Sequence, residues 1–133
     1  MNKMNKLLAL AAAAEVATGL VLLIDPPIVT RLLLGSEISG VAIVLGRVCG
    51  VGLLSFGLAC WPDHNVAGNF GRAFWVMLTY SVLCTLYLSY LGVSGEWVGR
   101  LLWPAVVWHG AVTIFLAGAW FKMKKAATVN KNF

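Results

Sequence analysis

The chain has 133 residues, 60% of them apolar and only 11% charged, with a net charge of +5. A soluble domain holds about 45–50% apolar residues with glycine counted in and about 25% charged, so one small core cannot hide this excess from water. The composition excludes a disordered chain, a nucleic-acid-binding module and a disulfide-stapled secreted miniprotein, and it points to an integral membrane protein whose first partner is the lipid bilayer.

Four apolar stretches predict four transmembrane helices, at about 7–24, 40–61, 73–93 and 101–121. Each comes close to the ~20 residues that a helix rising 1.5 Å per residue needs to cross about 30 Å of hydrocarbon. The first begins with Lys3 and Lys6 and a run of small residues, in the manner of a secretory leader. Its apolar run continues past Glu15 through Val16–Ile24, and it therefore reads as a span. Asp25-Pro26-Pro27 breaks the first stretch, and Pro27–Leu34, with prolines at its start and Arg31 as its charge, predicts a short interfacial helix. Pro62-Asp63-His64-Asn65 and Ser94-Gly95-Glu96 supply the other turns. The fold class is thus all-α, a single four-helix transmembrane bundle.

Six of the ten Lys and Arg residues lie in the terminal segments. Lys3, Lys6, Arg72, Lys122, Lys124, Lys125 and Lys131 fall on one side of the predicted membrane, against Arg31 and Arg100 on the other. The positive-inside bias then places both termini in the cytoplasm, in a multi-pass protein of a bacterial inner membrane. Trp61, Trp75, Trp97, Trp103 and Trp120 fall near span ends, where amphipathic rings favour the headgroup zone. The three cysteines, Cys49, Cys60 and Cys84, show no metal-ligand or redox spacing and read as packing residues.

Charges within a span are costly and normally face a bundle interior. Glu15 lies nine residues before Ile24, Arg47 seven after Gly40 and His109 eight after Leu101. If those span ends share one plane, the three lie roughly 13, 10 and 12 Å below it. The expectation is a polar pocket in the outer half of the bundle, with Glu15 and Arg47 as an ion pair and His109, Tyr87, Thr85 and Thr113 adding hydrogen bonds. Small residues mark the faces that pack: Gly19 on the first span, and Gly46, Gly50 and Gly57 on the second, where Gly46 and Gly50 form a GxxxG pair. Such a pocket suits a lipid headgroup, a quinone ring or a proton-coupled substrate. A bis-histidine haem is disfavoured, since His64 and His109 lie roughly 20 Å apart in depth. No metal-binding, P-loop or hydrolase motif occurs, and no catalytic residue is assigned.

The glycine-rich second span with its arginine, Leu45-Gly46-Arg47-Val48-Cys49-Gly50-Val51-Gly52-Leu53-Leu54-Ser55-Phe56-Gly57-Leu58, resembles the DoxX-like superfamily of small four-span bacterial membrane proteins. The resemblance implies an accessory or quinone-linked subunit of membrane oxidoreductases, not an enzyme itself, with other membrane subunits or further copies of the chain as partners. It carries over Arg47 alone, as a polar residue on the packed face. Ala14-Glu15-Val16 also resembles the first-span motif of small multidrug resistance transporters, which implies a proton-coupled small-molecule transporter using Glu15. Arg47 in the second span departs from that pattern.

Overall fold

The computed structural model describes residues 3–62 and 69–129, and these are all helix and connecting segments. Five helices follow in order: α1 (Lys3–Ile24), α2 (Pro26–Leu34), α3 (Val41–Ala59), α4 (Asn69–Ser94) and α5 (Leu102–Val129). Four segments are long and apolar enough to cross a membrane: Met4–Ile24, Val41–Ala59, Gly71–Ser94 and Leu102–Lys122. Asp63, His64, Asn65 and Lys131 lie outside the described residues.

α1 stops where two prolines remove consecutive amide donors, and the chain restarts at once as α2. The Ile28 amide donates to Asp25 Oδ1 at 3.3 Å, which caps the new helix. Pro26 and Pro27 occupy its first turn, where the missing N–H groups cost nothing. α2 ends at Gly35, whose φ of 73° lets its N–H return to the Arg31 carbonyl. An exposed ion pair joins Arg31 to Glu37 at 2.6 Å.

α1 and α3 form one antiparallel pair, and glycine sets their spacing. A Cβ added to Gly50 would lie 2.7 Å from the Leu23 amide nitrogen and 2.8 Å from the Gly19 carbonyl, and one added to Gly57 would lie 2.7 Å from the Ala12 carbonyl. Gly19 faces the Leu54 amide in the same way, and Gly46 sits against the Pro26 ring. In lipid, where both environments are apolar, such backbone-to-backbone approach is a main source of helix association. α4 and α5 form the second antiparallel pair, with Gly92 against the Trp103 ring and Phe74 stacked with Trp120 at 5.9 Å.

The buried core joins the pairs at one end. Leu8, Ala11 and Ala12 of α1, Cys60 after α3, Phe74 and Met77 of α4, and Val112 and Leu116 of α5 fill it. All of these lie in the half of the bundle that holds the chain termini, and Glu15, 4% exposed, borders the cluster. At the opposite end α2 is tied to the start of α5: the Val98 amide donates to the Leu34 carbonyl at 3.3 Å and the Leu101 amide to the Leu32 carbonyl at 2.8 Å.

Candidate functional site

Glu15 meets the second pair through Tyr80. The Tyr80 hydroxyl donates to Glu15 Oε2 at 3.1 Å, so α1 and α4 share a hydrogen bond where lipid could not supply one. The Tyr80 ring packs on Phe56 of α3 with centroids 4.7 Å apart, and on His109 of α5 edge-on at 5.6 Å. The Cys84 thiol lies beside the Tyr80 hydroxyl. Tyr80 is therefore the residue on which all four long helices converge.

Glu15 and His109 belong to this cluster. Thr85 and Thr113 are half-buried on the α4–α5 faces, and each donates its hydroxyl to its own helix, to the Ser81 carbonyl at 2.7 Å and the His109 carbonyl at 2.8 Å. Two neighbouring polar atoms are left without partners. Ser81 Oγ and His109 Nδ1 are both buried and unbonded, although the large majority of buried polar atoms in proteins find a partner, and each failure costs about 1–3 kcal/mol.

The expected Glu15–Arg47 ion pair does not form. Arg47 is exposed, and among the described residues neither it nor Glu15 takes part in an ion pair. The register of α1 on α3 gives the reason. Gly57 lies at Ala12 and Val16, Gly50 at Gly19 and Leu22–Leu23, and Gly46 at Pro26, which puts Phe56 level with Glu15 and Arg47 level with Ile24. The nine residues between them amount to about 13 Å along the axis. At 3.6 residues per turn the same interval is also a half-integral number of turns, so Arg47 points away from the flank that carries Phe56 and Tyr80. α3 begins six residues beyond that level, at Val41. The ends of α1 and α3 therefore do not share a plane, because α1 breaks at Asp25 and α2 covers the remaining depth.

Beyond Tyr80 the two pairs part. One or two turns on toward the α2 end, Thr18 after Glu15, Cys49 and Gly52 before Phe56, and Tyr87 after Tyr80 are exposed, Tyr87 by 63%, and a Cβ on Gly52 would meet nothing within 4 Å, while Gly19, Leu22, Leu53 and Cys84 on the same turns stay buried or half-buried. These exposed positions form a lipid-facing wedge beside Glu15, Tyr80 and Phe56, bounded below by the closed, apolar terminal half and above by the tie between α2 and the start of α5. Tyr87 lines the wall of the wedge and does not reach the cluster's hydrogen bonds.

Tyr80, Ser81 and Cys84 complete the site, and of these only Ser81 carries a sequence pattern. Ser81 shares a stripe with Thr85, which is a usable signal, whereas Tyr80 is distinguished only by what it touches. The arrangement offers a carboxyl, a phenol, an imidazole nitrogen and a hydroxyl to a polar group entering from the wedge. Among the described residues no three His, Cys, Asp or Glu side chains converge as a metal site would require. Comparison with protein-family models, with curated proteins and with solved structures finds no match to this chain.

Proposed function

We propose that the chain is a non-enzymatic membrane subunit that binds the polar head of a lipid-soluble amphiphile, a quinone or a lipid, at Glu15, Tyr80 and His109. The observation that carries this reading is the pair of unbonded buried polar atoms, Ser81 Oγ and His109 Nδ1, in the residues around Tyr80. An amphiphile can enter from the bilayer, leave its tail among apolar side chains and give Ser81 Oγ and His109 Nδ1 the partners they lack. The accessory, quinone-linked role that the DoxX-like resemblance implies agrees with it. The test is titration of the protein in lipid nanodiscs with decylubiquinone, followed by tryptophan fluorescence. Saturable quenching is expected, weakened about fivefold by Tyr80→Phe, the equivalent of one hydrogen bond of about 1 kcal/mol. Unsaturable quenching, equal in wild type, Tyr80→Phe and Glu15→Gln, overturns the reading.

A second reading is supported by Glu15 having no cationic partner among the described residues. A carboxyl not held by an arginine is free to exchange protons, as a proton-coupled transporter of small molecules requires. Substrate uptake into proteoliposomes with proton counter-flow, abolished in Glu15→Gln, selects this reading over the first.

The excess of Lys and Arg at the terminal side supports cytoplasmic termini in a bacterial inner membrane. Single cysteines at Lys6, Ser36, Gly95 and Lys122 in a cysteine-free background test it. Labelling of Ser36 and Gly95 from outside intact cells is expected, and outside labelling of Lys6 or Lys122 refutes it.

A further inference from the structure

Arg47 is unused by the site, and its surroundings point to a ligand of their own. It is exposed, with no hydrogen bond or ion pair among the described residues, on the flank of α3 turned away from Tyr80. A guanidinium on a lipid-facing helix demands an anion, because leaving it in hydrocarbon costs at least about 2.5 kcal/mol.

We infer that Arg47 binds the phosphate of a single phospholipid whose acyl chain lies in the groove between α1 and α3. Three features combine. The first is depth: Arg47 is level with Ile24, the last residue of α1, where the chain turns through the exposed Asp25 into the amphipathic helix α2. The polar boundary of the protein therefore dips on this flank. α3 rises only about 9 Å above Arg47, and the long side chain can snorkel over most of that distance to meet a headgroup.

The second feature is the surface below the charge. Along the same flank Leu20 of α1 stands level with Val51 of α3, and Ala17 and Leu58 continue the line toward the terminal end. Leu20, Val51 and Leu58 are 43%, 51% and 58% exposed, and Ala17 is exposed as well. The antiparallel register puts these residues on one side of the pair, opposite Glu15 and Phe56, with Ala17 as the shallow point between larger neighbours. A positive head above an apolar trough matches a phospholipid phosphate followed by its chain.

The third feature is charge balance. Glu37 already occupies Arg31 at 2.6 Å, and the Asp25 carboxylate faces its own helix start. No carboxylate of the described chain answers Arg47, whereas the bilayer holds phosphate at the headgroup level that the snorkelling side chain approaches.

Native mass spectrometry of the protein released from nanodiscs of equal phosphatidylglycerol and phosphatidylcholine tests the inference. The wild type is expected to retain one phospholipid, with the anionic lipid enriched. Arg47→Gln should weaken retention about fivefold, the equivalent of roughly 1 kcal/mol for one basic residue at a lipid surface. Arg47→Lys should keep it, and Ala17→Leu, which fills the trough and leaves the charge, should reduce it. Arg31→Gln should leave it unchanged. Equal retention in wild type, Arg47→Gln and Ala17→Leu overturns the inference. So does an Arg47-dependent dimer mass without lipid, which would assign the guanidinium to a second copy of the chain. Quinone titration of the same variants reads the wedge separately, so either proposal can fail alone.

Discussion

Glu15 has two candidate partners in this chain, and double-mutant cycles from one shared arm can choose between them. Tyr80 donates to its carboxyl at 3.1 Å, whereas Arg47 stands nine residues away along the register, about 13 Å, and on the opposite flank. Residues more than 7–10 Å apart with no shared partner add within about 0.3–0.5 kcal/mol, while bonded pairs show coupling of about 0.5–3 kcal/mol. Glu15→Gln with Tyr80→Phe should therefore couple by about 1 kcal/mol or more. Glu15→Gln with Arg47→Met should be additive. The assay is reversible unfolding in mixed detergent micelles, where a denaturing detergent titrates helix separation and the midpoint of each single and double variant is compared. Coupling above about 1 kcal/mol between Glu15 and Arg47, or none between Glu15 and Tyr80, would refute the register and with it the placement of the site.

Four further outcomes follow from the same geometry. Gly50→Ala puts a methyl group 2.7 Å from the Leu23 backbone and should lose about 1–3 kcal/mol by overpacking, whereas Gly52→Ala, with open space around it, should be neutral or gain up to about 1 kcal/mol of helix propensity; equal midpoints for the two would dismiss the glycine contact. Ser81→Ala removes a buried hydroxyl with no partner, so it should hold or raise stability in detergent by up to about 1–3 kcal/mol while lowering decylubiquinone quenching, and a clear loss of stability would contradict the unbonded state. Gly99→Ala collides with the Leu33 backbone and should loosen the tie between α2 and α5, seen as faster amide exchange at Val98 and Leu101. A membrane-permeant maleimide should modify the exposed Cys49 first, Cys84 next and the buried Cys60 last, and early loss of the Cys60 thiol would be incompatible with the core.

Most of the scaffold is legible in the sequence because the physics is local. Four runs of apolar residues can only be long helices, a proline pair after Asp25 must restart the chain, and glycines at positions 46, 50 and 57 leave one side of α3 without side chains. The site is less legible, for two reasons. Depth counted from the end of an apolar run assumes that all runs end on one plane, and the early break of α1 removes that common origin, carrying Glu15 away from Arg47. Hydropathy also treats Tyr80 as one aromatic residue among many. Which of two adjacent stripes on α4, that of Tyr80 and Cys84 or that of Ser81 and Thr85, turns toward α1 is decided by how the second helix pair packs on the first, and no local pattern encodes that.

The pairing of α1 with α3 and of α4 with α5 also bears on how the protein is made. Each pair is built from segments close in sequence, α1 and α3 joined through the short helix α2 and α4 and α5 through a short loop, so each can enter the bilayer and compact as soon as it leaves the ribosome. The first hairpin then waits with the Glu15 carboxyl facing lipid, and the second emerges with the Tyr80 hydroxyl lacking its Glu15 acceptor. Their meeting is the late, lateral step of biogenesis, and the hydrogen bond from Tyr80 to Glu15 rewards it only when both hairpins arrive in the correct orientation. Two fragments divided within residues 63–68 and synthesised together should therefore find each other in the membrane, and Glu15 should be the residue whose loss makes that reunion fail.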